Sequence, residues 1–189
     1  QSIVGNHTVD ATGSSVSGLR WYELRSSISS WSVYQQGTFS PQDDFACNNT
    51  PNMHRFMGAI AMNSKGQIAM GYNSSSAERF ASISFTGRNS NDPLNLMSYQ
   101  EKDAILGTGY GSFGNRWGDY NEIIPDAVND SIFWFCGMYG SGANSWKTRI
   151  VSFTLAPNND LDAAISNIEF PNTCENLCSQ LVNPRVKIK

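Results

Sequence analysis

The chain has 189 residues, 15% of them charged, with 13 Lys and Arg against 16 Asp and Glu for a net charge of −3. No Lys/Arg cluster supplies an electrostatic footprint for nucleic acid, and no apolar run reaches the roughly 18 to 20 residues that cross a bilayer as a helix. With 25 Ser, 19 Asn and 16 Gly set among 12% aromatic residues, the composition is that of an all-β protein rich in turns and loops.

The chain opens Gln1-Ser2-Ile3 without an initiator Met, a basic stretch or an apolar leader. That start is expected of a processed chain or of a piece of a longer one. Short period-2 runs follow: Trp21-Tyr22-Glu23-Leu24-Arg25, Trp31-Ser32-Val33-Tyr34-Gln35, Gly58-Ala59-Ile60-Ala61-Met62 and Ile68-Ala69-Met70-Gly71-Tyr72. Each reads as a strand of a meander, separated from the next by Ser, Asn and Gly. Asn63-Ser64-Lys65-Gly66 marks the clearest hairpin, because Gly66 can take the positive φ such a turn needs.

The pattern then repeats. His54-Arg55-Phe56-Met57-Gly58, followed by strand, turn and aromatic strand, is echoed by Asn115-Arg116-Trp117-Gly118-Asp119 and the later Ile132-Phe133-Trp134-Phe135. Ala81 to Thr86 likewise corresponds to Arg149 to Thr154. A unit of roughly 60 to 68 residues with three or four short antiparallel strands is the size of a β-propeller blade with long loops. One blade runs from Trp21 to Phe39, a second from Arg55 to Arg88 and a third from Arg116 to Leu155. These make about two and a half blades, where closure takes roughly four to eight. Residues 1–156 are therefore expected to form a partial β-propeller belonging to a larger protein, whose missing blades are its first partner.

After Ala156-Pro157-Asn158-Asn159 the texture changes. Asp160 to Ile168 fits a helix with Leu161, Ala164, Ile165 and Ile168 on one face, or a strand entering a new sheet. Pro184 to Lys189 alternates like a strand. Residues 157–189 are read as a linker and the first strands of an incomplete β-sandwich domain.

Four cysteines lack zinc-type spacing, and two histidines cannot furnish a His-rich metal site, so no metal centre is expected. Cys47 and Cys136 read as two buried small apolar residues or as a disulfide. Cys174 and Cys178, four apart, can close a small loop and are the disulfide candidates. N-x-S/T triplets at Asn6, Asn48, Asn73 and Asn129 arise readily by chance in an Asn- and Ser-rich chain.

Gly18 to Arg25, Trp31 to Gly37, Met57 to Asn63, Arg116-Trp117-Gly118-Asp119-Tyr120 and Trp146-Lys147-Thr148-Arg149-Ile150 resemble the recurring segments of sialidase-like β-propellers in large secreted or cell-surface proteins of Bacteroidetes. The tail from Asp160 to Lys189 is similar to the first strands of a CARDB-like immunoglobulin-fold domain. The resemblance implies export through the type 9 secretion machinery and an extracellular or cell-surface setting. It also implies a role in adhesion, display or carbohydrate binding, or as scaffold for another domain. The insertion Asp43 to Thr50 departs from the pattern.

Propellers present ligands where the innermost strands begin, which makes Arg55, Arg116, Trp117, Asp119 and Tyr120 the candidate ligand-binding residues. A sialidase needs an arginine cluster for a carboxylate, a Tyr activated by Glu and an acid/base Asp. Arg55, Arg116 and a Tyr120/Glu122 pair could supply part of that set, with the remaining catalytic residues outside this chain. The competing reading has arginine–aromatic pairs bracing neighbouring blades and Asp119 holding a turn, so this segment is expected to bind rather than to catalyse. The Asp-box pattern of sialidase propellers is not intact. Asp126 and Asp130 offer oxygen ligands for Ca²⁺, against a plain solvated turn. Asp130-Ser131-Ile132 resembles a short O-glycosylation pattern of that phylum. The five tryptophans are expected mostly to fill the spaces between blades, with sugar stacking as the alternative.

Overall fold

The computed structural model describes residues 1–13, 15–41, 52–110, 116–155, 165–168 and 186–188. Among these residues the protein is all-β, without a helix. Contacts divide the chain into two units, Gln1–Ser40 with Thr50–Leu155, and Pro41–Asn49 with Ala156–Lys189.

The first unit consists of three antiparallel meanders. The first sheet runs β1 (Ser2–Asp10), β2 (Ser17–Ser26), β3 (Trp31–Phe39). The second runs β4 (His54–Met62), β5 (Ile68–Ser76), β6 (Arg79–Arg88), β7 (Tyr99–Ile105). The third runs β8 (Glu122–Pro125), β9 (Ile132–Gly142), β10 (Ser145–Thr154). The first strand of the second sheet, β4, packs against the first strands of both others, β1 and β8.

Two strands were not visible as period-2 runs. β1 precedes the expected start at Trp21, and β7 extends the second sheet beyond Arg88. Their sequences, SIVGNHTVD and YQEKDAI, put polar residues on both faces because both are edge strands. In the second unit, Ile165–Ile168 (β11) pairs antiparallel with Val186–Ile188 (β12). The helical alternative therefore fails over 165–168, where the β-branched Ile165 and Ile168 suit a strand. Cys47, Cys174 and Cys178, the 43–50 insertion, and the tail apart from β11 and β12 lie outside the described residues. Cys136 is a partly buried free thiol.

Alternation in the second sheet serves two neighbours at once. Ile68, Met70 and Tyr72 of β5 join Leu19 and Trp21 of β2 in one buried cluster. Ala69 joins Ile83, Phe133, Phe135 and Phe153 in a second. A strand covered on both faces should be apolar throughout rather than alternating, and Ile68 to Ser74 is buried at every position. Phe85 stacks on Phe153 at 4.0 Å between ring centroids.

Polar contacts between sheets add direction to this packing. The Asn63 to Gly66 turn docks on the 126–131 turn: the Ser64 amide and hydroxyl donate to the Asp130 carboxylate (3.0 and 2.6 Å), and Lys65 Nζ donates to Ser131 Oγ (2.7 Å). Buried Glu23 accepts from Gln35, whose Oε1 accepts from buried Arg88 (2.5 Å each).

The tryptophans divide differently from expectation. Trp21 fills the space between the first two sheets at 1% exposure, while Trp31, Trp134 and Trp146 are exposed. Trp134 alternates with Phe133 and Phe135 along β9, so it takes the face opposite the core.

Candidate functional site

The site is built around the turn that enters β8. Gly118 adopts φ 64°, a left-handed conformation that strongly favours glycine. A Cβ there would also lie 3.0 Å from Asn73 Oδ1. The turn closes with the Asn121 amide donating to Gly118 O at 2.8 Å. Asn121 Nδ2 then donates to Met57 O (2.8 Å) and to Asn73 Oδ1 (2.9 Å). Asn73, fully buried on β5, donates to Ser82 O (3.0 Å) and Met138 O (2.6 Å). A buried amide so satisfied rigidifies its surroundings, and this one fastens the turn to the second and third sheets.

Met57 and Gly58 form the bulge of β4, where the register against β5 shifts between Phe56 and Ala59. A bulge re-aims the backbone groups beside it. Here Met57 O accepts from Asn121, and in the amide orientation that satisfies both ends of Asn6 on β1, its nitrogen donates to Gly58 O (2.9 Å) and its oxygen accepts from Ile60 N (3.2 Å). The first strands of all three sheets are thus held together by two asparagines.

Two cavities open at this junction. The larger, about 380 Å³, lies between the 116–121 turn, Cys136 to Met138 of β9, and Trp146 and Thr148 of β10. The smaller, about 260 Å³, lies between Asn6 to Thr8 of β1, the Met57–Gly58 bulge and the same turn. Of the candidate residues, Arg116, Trp117, Asp119 and Tyr120 line the larger cavity together. Arg116 and Asp119 form an ion pair at 2.8 Å, and an exposed pair of this kind contributes at most about 1 kcal/mol. The Tyr120 ring is 91% exposed.

Arg55 lies elsewhere, contrary to its expected place facing a ligand. Its side chain is fully buried and makes two bonds to Glu101 (2.8 and 2.6 Å) and one to Met53 O (3.2 Å). It also lies 5.6 Å from the Phe39 ring centroid, the bracing role of an arginine–aromatic pair. Arg55 and Arg116 therefore do not share a cavity, and Glu122 lines neither cavity beside Tyr120. Sequence reasoning missed Asn73, Asn121 and Thr148, and offered Trp146 only among five tryptophans whose alternative use was sugar stacking. Asn73 carried a signal, a lone amide within a strand otherwise suited to burial.

Asp126 and Asp130 are both engaged by protein donors. Asp126 accepts from the amides of Val128 (2.8 Å) and Asn129 (2.7 Å) and from the Trp134 indole (2.7 Å). Among the described residues no group of three or more acidic, His or Cys side chains could hold a metal. The Asn129 amide, then the Trp134 indole and Val128 amide, hold the Asp126 carboxyl below the ordinary aspartate value. A carboxylate depressed in the folded state contributes stability above its unfolded pKa and loses it as pH falls through the folded value. The Trp134 indole proton is therefore expected to titrate in an NMR series with a midpoint below that of an ordinary aspartate. In Asp126→Asn this titration disappears.

No helix among the described residues is long and apolar enough to cross a membrane. No family model, curated protein or solved structure matches this chain.

Proposed function

We propose that the first unit is part of a β-propeller in a secreted or cell-surface protein, and that it binds a saccharide at the end of the sheets marked by the 116–121 turn. Three consecutive meanders whose first strands lie side by side support the propeller reading. Export by the type 9 route rests on the sequence resemblance.

The observation that carries the binding reading is the larger cavity. Trp117, Tyr120 and Trp146 line it beside the Arg116–Asp119 pair and the Thr148 hydroxyl. Aromatic faces pack against the apolar faces of sugar rings while a few polar groups fix orientation, the usual division of labour in a ligand pocket. Trp146 is 52% exposed, so its truncation costs the fold little.

A glycan array probed with the full chain and with Trp146→Ala tests this reading. The wild type is expected to retain a defined set of glycans. Trp146→Ala is expected to lose about 2 kcal/mol, or about thirtyfold in affinity, with an unchanged circular dichroism spectrum. A folded wild-type chain that retains no glycan would make the propeller a scaffold or display module instead.

A further inference from the structure

Resting on the saccharide reading, we infer that the two cavities flanking Tyr120 are subsites of one groove, and that its ligand is an uncharged oligosaccharide of two or more sugar residues. Gly118, Tyr120 and Asn121 line both cavities, so the two meet at one wall. At about 260 Å³ the smaller falls below the roughly 300 Å³ at which small-molecule sites begin, whereas the joined groove lies within their range. The smaller cavity therefore gains a use as an extension of the larger.

The wall carries groups suited to a chain of sugars crossing it. The Tyr120 ring is almost wholly exposed and offers a face to a ring lying across the junction. Both hydrogens of the Asn121 amide are engaged by Met57 and Asn73, while its Oδ1 accepts no hydrogen bond among the described residues. That oxygen is left to receive a hydroxyl. At the far end, Asn6 and Thr8 alternate onto one face of β1, the face that meets the Met57–Gly58 bulge, so the Thr8 hydroxyl lines the smaller cavity from that side.

Charge selects the ligand class. Arg116 and Asp119 neutralise each other across 2.8 Å, and the rest of the groove lining contains no Lys, Arg, Asp or Glu. An acidic sugar would have to break that pair or meet no opposing charge, so the groove favours a neutral chain.

Calorimetric titration of the full chain with manno-, cello- and chito-oligosaccharides of one to four residues, and with oligogalacturonates of equal length, tests the inference. For a neutral series that binds, affinity is expected to rise about tenfold or more from mono- to trisaccharide. Tyr120→Ala is expected to flatten that rise, and Thr8→Val to lower trisaccharide affinity about tenfold. Affinity independent of length, no effect of Thr8→Val where Trp146→Ala abolishes binding, or preference for the oligogalacturonates would overturn the inference while leaving the single-cavity reading standing. Absence of binding by every saccharide to the folded wild type would overturn both.

Discussion

Replacing Glu101 by alanine is expected to destabilise the protein by about 3 to 5 kcal/mol, the range for removing one partner of a buried ion pair. The Arg55 guanidinium is fully buried and held by both oxygens of Glu101 at 2.8 and 2.6 Å. Glu101 lies on β7 and Arg55 on β4, so the pair spans the second sheet from edge to edge. The Tyr72 hydroxyl of β5 also donates to Glu101 at 2.6 Å. Burial, then the neighbouring Glu101 charge, push that phenol well above its ordinary pKa, so it remains a donor throughout the neutral range. Loss of the carboxylate removes both Glu101 bonds to the buried guanidinium and leaves the Tyr72 donor without its acceptor. Replacing both charged members, Arg55→Met with Glu101→Leu, should recover part of the loss, since apolar substitution of a whole buried pair is often neutral or better, while the buried Tyr72 hydroxyl stays without an acceptor. Urea unfolding of the two variants measures both changes. Equal destabilisation by the single and double variants would show that shape rather than charge matters here.

The second large effect concerns the contact between the second and third sheets. Phe135 is 1% exposed and seats its ring over Gly71, where a Cβ would lie 2.6 Å from Phe135 Cγ. Phe135→Ala is expected to cost about 3 to 5 kcal/mol through lost burial and the cavity left behind. Gly71→Ala is expected to cost about 1 to 3 kcal/mol by overpacking the same contact. If the two residues meet as described, Gly71→Ala should cost much less in the Phe135→Ala background, because the added methyl then fills part of the void. Additive losses would place the two residues apart.

What the sequence could show follows from how local each feature is. The apolar run of β5 and the Asn63 to Gly66 turn were legible because period and turn chemistry act within a few residues. β1 and β7 were not, because an edge strand needs no apolar face and its polar residues resemble loop. Arg55 was misplaced for a related reason. Its partner Glu101 lies far along the chain on β7, and nothing near Arg55 in sequence shows that a carboxylate will cover it. Arg116, Trp117, Asp119 and Tyr120 came together because they are consecutive and occupy one turn. Trp146 and Thr148 reach the same cavity only through the β9–β10 hairpin, whose register pairs Thr148 with Met138. Asn73 and Asn121 position the turn through bonds across two sheets, which no spacing rule predicts.

The most direct test of the saccharide site is a crystal structure of the full chain with a bound neutral trisaccharide chosen from the titration series. The account predicts one sugar ring against Trp146 in the larger cavity, the chain crossing Tyr120, and a hydroxyl donating to Asn121 Oδ1. A trisaccharide bound at any other surface, with the 116–121 turn empty, would contradict it.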